Sequence, residues 1–189
     1  VARPGGRLQL VEAELCAADR VVVRARAVRL RRTALATGAT ERVPPPGDGP
    51  DAARPSPFPS GREDGEGFHR TGMELRFANG TSYGTGPAQT WFRFARPLID
   101  DEAPSALQAV MAAADFGNGI SRVLDFDEHL FVNVDLSVHI DREPHGEWVL
   151  LDASTSIGPQ GVGLATSTLS NTSGPVGVAA QSLFVAERG

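Results

Sequence analysis

Residues 105–116, SALQAVMAAADF, are the stretch of this chain with the clearest helical composition. Pro104 stands just before it, and Gly117 and Gly119 just after, the asymmetry expected at helix ends. Leu107, Val110, Met111 and Ala114 recur at helical spacing, which predicts one apolar face built of small and medium side chains. Everything around this helix reads as strand. MELRFANG (73–80) and TWFRFARPL (90–98) precede it, and segments 130–140, 147–156, 161–170 and 176–186 follow it. Two strands, a helix and a run of strands predict an α+β domain with one helix packed on an antiparallel sheet.

Upstream, segment 7–15 alternates and segment 20–32 is an arginine-laced apolar run, which together predict a hairpin. Residues 33–70 hold seven of the 14 prolines among Gly, Asp and Ser, a composition expected of a linker. The hairpin also has an echo downstream. GRLQLVEAEL (6–15) resembles QGVGLATSTL (160–169), and DRVVVRARAVRL (19–30) resembles GPVGVAAQSLFV (174–185). The expected organisation is therefore two repeats: residues 1–32 as the closing hairpin of a truncated first unit, 33–70 as linker, and 71–189 as a complete second unit. Val1, in place of an initiator Met, fits a first unit that lacks its earlier part.

Composition narrows the function. Hydrophobic residues make up 41% and charged residues 22%, globular values, and no apolar run approaches the roughly 20 residues that span a bilayer. The net charge of -5 argues against a nucleic-acid surface, although all 18 basic residues are Arg. Cys16 is the single cysteine and so has no internal disulfide partner; its strand position predicts a buried thiol in a reducing, cytoplasmic protein. His69, His129, His139 and His145 show no metal-ligand spacing, and neither a metal nor a cofactor is expected.

Three polar residues stand out in the last third, on successive strands otherwise built for burial: Asp135, Thr155 and Gln181. A buried carboxylate, hydroxyl and amide are costly unless they satisfy one another or a bound water. On a continuous strand 130–140, Leu130, Val132, Val134, Leu136, Val138 and Ile140 would face the helix. Phe131, Asn133, Asp135, Ser137 and His139 would then face a neighbouring unit. Gln181 shares its parity with Ala179, Leu183 and Val185, a lone amide among apolar neighbours.

PLIDDEAPSALQAVMAAADFGNGIS (97–121), HLFVNVDLSVHIDREPHGEWVLLDASTS (129–156) and GPVGVAAQSLFV (174–185) together resemble the acyl-CoA thioesterase II family and its thioesterase-like relatives. The resemblance implies a hotdog fold, in which an antiparallel sheet wraps one helix, here a double hotdog with an incomplete first unit. It also implies hydrolysis of acyl-CoA by a water held by an Asp, a Thr and a Gln, placed by their local contexts at Asp135, Thr155 and Gln181. Asp135 would accept the water's proton and a backbone amide would polarise the carbonyl; the helix start near Ser105 and the Gly117–Gly119 turn are the candidate donors. Acyl-CoA is then the expected partner, with no nucleic acid or membrane, in a homo-oligomer that covers exposed sheet edges. The competing readings are a non-catalytic acyl-CoA or lipid-binding hotdog and a hotdog enoyl-CoA hydratase using Asp125 and His129. GTSYG (80–84) matches the nucleophile-elbow pattern around Ser82, but a strand, TWFRF, follows it where that motif requires a helix.

Overall fold

Strand pairing in this computed structural model, which describes residues 1–34, 38, 40, 47–56, 67–81 and 84–189, sorts the chain into two units, Val1–Glu41 and Arg42–Gly189. The first is the expected hairpin. β1 (Leu8–Ala17) pairs antiparallel with β2 (Arg20–Leu30) through a tight turn in which Ala18 takes a positive φ of 51°. Glu12 sits opposite Arg26 and Glu14 opposite Arg24, and both pairs form ion pairs, at 2.6 and 2.9 Å. Such exposed pairs contribute little stability, on the order of 0–1 kcal/mol. Cys16 corrects the sequence reading: it is exposed, not buried. Two strands form a single layer, which has no second layer of its own to bury either face, and a register shift between Leu15 and Cys16 distorts the alternation there.

The second unit comprises β3 (Arg54–Pro55), α1 (Phe68–Thr71), β4 (Met73–Asn79), β5 (Ala88–Phe94), α2 (Ala106–Ala114) and α3 (Gly117–Ile120). β6 (His129–Asn133), β7 (Ser137–Ile140), β8 (Val149–Ile157), β9 (Val162–Asn171) and β10 (Gly174–Glu187) complete it. The strands form one antiparallel sheet in the order β3-β4-β5-β8-β9-β10-β6, with β7 also on β10. The sheet wraps the α2–α3 pair, the hotdog arrangement. Ser105 starts α2 with a capping box: Gln108 N–H donates to Ser105 Oγ, and Ser105 N–H donates to Gln108 Oε1.

The helix buries half of the expected stripe, Val110 and Ala114, and replaces Leu107 and Met111 with Ala109 and Ala113. Ala109, Val110, Ala113 and Ala114 are buried against Phe92, Leu151 and Leu169, whereas Leu107 and Met111 are 51% and 43% exposed. Alanines on the inner side let the sheet close tightly on the helix, and the larger side chains are left on the outside. Part of the stretch read as linker is also ordered. Arg54 pairs with Phe77, and Ala53 is buried with Trp91 and Leu150 on the sheet face that turns away from the helix. Arg76 fastens this strap by donating to Pro50 O and Asp51, and the Arg76 and Arg93 guanidiniums lie 4.7 and 4.8 Å from the Trp148 ring centre. Ser82 lies outside the described residues.

Two predictions follow from this packing. Burial pushes the Glu74 carboxyl up, but hydrogen bonds and charge from Arg93 and Arg76 outweigh it and hold it below its ordinary value of 4.5. A depressed carboxylate contributes stability above its unfolded pKa and loses it as pH falls through the folded one. Glu74→Gln should therefore lower the urea midpoint at pH 7, with a deficit that shrinks below pH 4.5. The second concerns Thr90, which is fully buried on the helix-facing side of β5 with Oγ1 unpartnered among the described residues. Thr90→Val should raise stability by about 1 kcal/mol, because a buried hydroxyl without a partner costs about 1–3 kcal/mol; equilibrium urea unfolding measures it.

Candidate active site

α2 and α3 are two pieces of one interrupted helix, and the interruption is where the polar chemistry collects. α2 ends with Asp115 as its C-cap, and α3 begins at Gly117. Across the sheet, Gln181 on β10 is 1% exposed and reaches into this break. Its Oε1 accepts from the Asn118 backbone N–H at 3.0 Å. Its Nε2 donates to the backbone oxygen of Asp115 at 3.0 Å and to Asp115 Oδ1 at 3.2 Å. Both Nε2 hydrogens are thereby committed. Close approach requires a glycine: a Cβ on Gly117 would lie 2.8 Å from Ser167 Oγ and 3.1 Å from Gln181 Oε1.

A second amide holds the same carboxylate. Asn133 Nδ2 donates to Asp115 Oδ1 at 2.7 Å. Asn133 pairs with Leu183, so it shares that residue's sheet face and therefore that of Gln181. Asp115 is exposed, and its Oδ2 accepts no hydrogen bond from the described residues. The cluster thus presents a fixed carboxylate with one oxygen clamped by two neutral amides and the other open.

Of the three residues expected from sequence, the structure brings two to this face. Thr155 and Gln181 both pair with Ala165, on β9 between them, which sets their Cα atoms about 10 Å apart. Thr155 Oγ1 lies 2.7 Å from Ser121 Oγ, and Ser121 Oγ donates to Gly117 O at 2.8 Å. Ser121 has a single hydroxyl hydrogen, so Thr155 is the donor of that pair. Gln181 and Thr155 therefore grip the two ends of α3.

Asp135 goes elsewhere. The expected continuous strand 130–140 is split: β6 and β7 both pair with β10, but their registers differ by one residue, and residues 134–136 form a bulge. The bulge inverts the predicted parity on β6. Phe131 is buried, Leu130, Val132 and Val134 are exposed, and Leu136 and Val138 pack on the core from β7. Asp135 sits in the bulge, exposed, where Oδ1 accepts from Ser182 N–H at 2.7 Å and Oδ2 from Ser182 Oγ at 3.2 Å. Ser182 follows Gln181 on a strand, so its side chain leaves the sheet on the opposite face. The carboxylate beside Gln181 is Asp115.

The remaining expectations resolve locally. Of the candidate carbonyl donors, the Ser105 N–H is taken by Gln108 and the Asn118 N–H by Gln181. Asp125 Oδ1 accepts from the Asp127 N–H in a turn, and its backbone oxygen from the His129 N–H. His139 is exposed. Among the described residues no cluster of His, Cys, Asp or Glu could hold a metal ion, and no helix is long and apolar enough to cross a membrane. Sequence reasoning missed Asp115 and Asn133. Asp115 carried a signal, a charged residue ending an apolar helix immediately before Phe116 and Gly117; Asn133 was assigned to the face turned away from the helix, and the bulge turns it inward.

Gln181→Ala would leave the Asn118 N–H without its acceptor, remove one of the two amides on the Asp115 carboxylate and open a cavity. A loss of about 2–4 kcal/mol in urea unfolding is expected.

Comparison with known proteins agrees with this fold. The family model for the acyl-CoA thioesterase C-terminal domain matches residues 50–185. A hotdog-fold protein of unknown function from Alicyclobacillus acidocaldarius superposes with a TM-score of 0.69 at 16% identity, covering 99% of this chain and 70% of that one. The acyl-CoA thioesterase II TesB2 of Mycobacterium marinum gives 0.64 at 18% identity, with coverages of 99% and 71%. The tesB protein of Mycobacterium avium subspecies paratuberculosis gives 0.60 at 14%, with 97% and 68%. At these identities the likeness is one of fold. No curated protein matches the sequence.

Proposed function

This chain belongs to the acyl-CoA thioesterase C-terminal domain family, and we propose that it hydrolyses acyl-CoA thioesters with Asp115, rather than Asp135, as the base. One observation carries the reading: Asp115 Oδ1 is clamped by Asn133 and Gln181 while Oδ2 is left open on the exposed side. A carboxylate held in that way accepts a proton in one fixed direction, which is what general-base activation of a water requires.

In the proposed reaction, water hydrogen-bonds to Asp115 Oδ2 and loses a proton to it as its oxygen attacks the thioester carbonyl carbon. The tetrahedral intermediate collapses with cleavage of the C–S bond, and the proton held by Asp115 passes to the departing thiolate. Free acid and CoA thiol are the products, and no covalent acyl-enzyme is needed. Gln181 and Asn133 fix the base. Thr155 acts at one remove, holding Ser121 and through it the far end of α3. Fatty-acid metabolism in the cytoplasm and a homo-oligomeric state are parts of the same proposal.

A paired substitution tests it. Asp115→Asn should lower kcat by about 10²- to 10⁴-fold in a thiol-release assay with acyl-CoA, the range typical for removal of a general base. Asp135→Asn should leave kcat within a few-fold of wild type, with a modest loss of stability from the weakened Ser182 contacts. The opposite pattern would return the base to Asp135 and refute the Asp115 assignment.

A further inference from the structure

Positive charge is concentrated at one end of the first unit, in a chain whose net charge is -5. Residues 1–32 carry eight arginines against three acids, Glu12, Glu14 and Asp19. Glu12 and Glu14 are engaged by Arg26 and Arg24, and their side chains leave the opposite face of the hairpin from Arg7, Gln9 and Arg29. Asp19 belongs to the turn, about 30 Å along the strands from Arg7. The open end therefore keeps its positive charge uncompensated by any acid of this unit among the described residues.

Three guanidiniums meet there. The Arg31 N–H donates to the Arg7 backbone oxygen at 2.9 Å, which sets the two residues directly opposite, and Arg29 lies opposite Gln9. All four side chains share one face, with Arg29 diagonal to Arg7. Like charges directly opposite on a ladder are destabilising, and no side-chain partner among the described residues relieves Arg7, Arg29 or Arg31. They line a pocket of about 240 Å³ with Gln9 and the Gly5–Gly6 turn. That turn carries the chain back from the Arg3–Leu10 bridge, and a Cβ on Gly5 would collide with the Leu8 carbonyl. Bare backbone thus forms one wall, and neither the Gly5 nor the Gly6 N–H has a backbone acceptor among the described residues.

We propose that this pocket is a phosphate site, taking the diphosphate group of a phosphorylated small molecule. Its volume is below the roughly 300–1,000 Å³ that encloses a whole small ligand, so it holds an end group. Guanidinium forks bind phosphate oxygens bidentately. Three of them with no carboxylate among them match a group carrying two or three negative charges better than a single carboxylate. The Gly5 and Gly6 N–H groups and the Gln9 amide add neutral donors. A bound anion between Arg7 and Arg31 turns their repulsion into a shared contact. The site lies within the hairpin and does not depend on the hydrolase reading.

Isothermal titration calorimetry of the full chain with inorganic diphosphate tests it, with sulfate as the control for weak anion binding. Saturable one-to-one binding is expected, tighter than that of sulfate and weakened by added salt. Arg29→Ala and Arg31→Ala should each raise Kd roughly tenfold, the loss typical of one hydrogen bond to a charged group. Arg24→Ala removes the same charge from the opposite face and should leave Kd within about twofold of wild type. Equal weakening by all three variants would mean diffuse attraction to net charge. Heat without saturation, or sulfate bound as tightly, would mean a solvated patch, and tighter binding of a single-stranded oligonucleotide would give the patch to nucleic acid; each of these overturns the proposal. If a variant does not fold, the wild-type preference for diphosphate over sulfate decides, no preference being contrary. ADP and CoA carry the same group on different molecules. Whichever binds as tightly as diphosphate or more so identifies its source, and weaker binding of both assigns the free anion.

Discussion

The second unit is organised around a buried amide that had to find three partners. Gln181 sits on the helix-facing side of the longest strand, where water does not reach it. Its carboxamide can be tolerated there only if its hydrogens and oxygen are engaged. An unbroken helix cannot supply them, because its own backbone groups are already paired along the axis. The break at Asp115 and Phe116 frees a backbone oxygen on one side and an N–H on the other, and Gln181 takes one of each. Gly117 follows from the same constraint, since only a residue without a Cβ lets the helix backbone settle against Ser167 and the Gln181 oxygen. Exposing a carboxylate at the break is then a consequence of the interruption.

The bulge at 134–136 decides which polar side chains join that cluster. One extra residue between β6 and β7 shifts the facing of everything on one side of it. Without it, a strand in the β7 register would turn Asn133 away from the helix. With it, Asn133 turns inward to Asp115, and Asp135 occupies the irregularity, where its carboxylate replaces a ladder acceptor for the Ser182 N–H. The two carboxylates thus divide between local structure and an open site, and one inserted residue makes the division.

The fold was legible because its signals are periodic and local: a single helix bracketed by Pro104 and Gly117, and strands with their turn residues. The candidate site was legible only where a residue's oddity survives without knowing its neighbours. A lone Gln among apolar residues is such an oddity, and Gln181 is buried as expected. Thr155 had no such oddity of its own and was named only by resemblance; its partner is Ser121. The facing of Asp135 was misplaced because parity is a statement about an unbroken strand, and nothing in NVDLSV announces a bulge, which carries no Gly or Pro. The helix stripe was half right, with Val110 and Ala114 buried as expected: Leu107 and Met111 carry more hydrophobicity than Ala109 and Ala113, but close wrapping of a sheet selects small residues. Strap residues 50–55 were hidden by prolines, which permit a short edge strand while giving it the composition of a linker.

What holds the carboxylate matters as much as where it is. An arginine would fix Asp115 more strongly, but it would also stabilise the charged form and compete with a water for it. Neutral amides from Asn133 and Gln181 restrain Oδ1 without placing a full positive charge beside it. Direction is imposed on the group, and its lone pairs on Oδ2 stay available. For a thioester this is an economical arrangement, because thiolate departs readily and the difficult step is the approach of water along one line. Thr155 completes the restraint from the far side: by holding Ser121 it keeps α3 from rotating about the Gln181 contact, so the position of Asp115 is fixed by the sheet at two points about 10 Å apart.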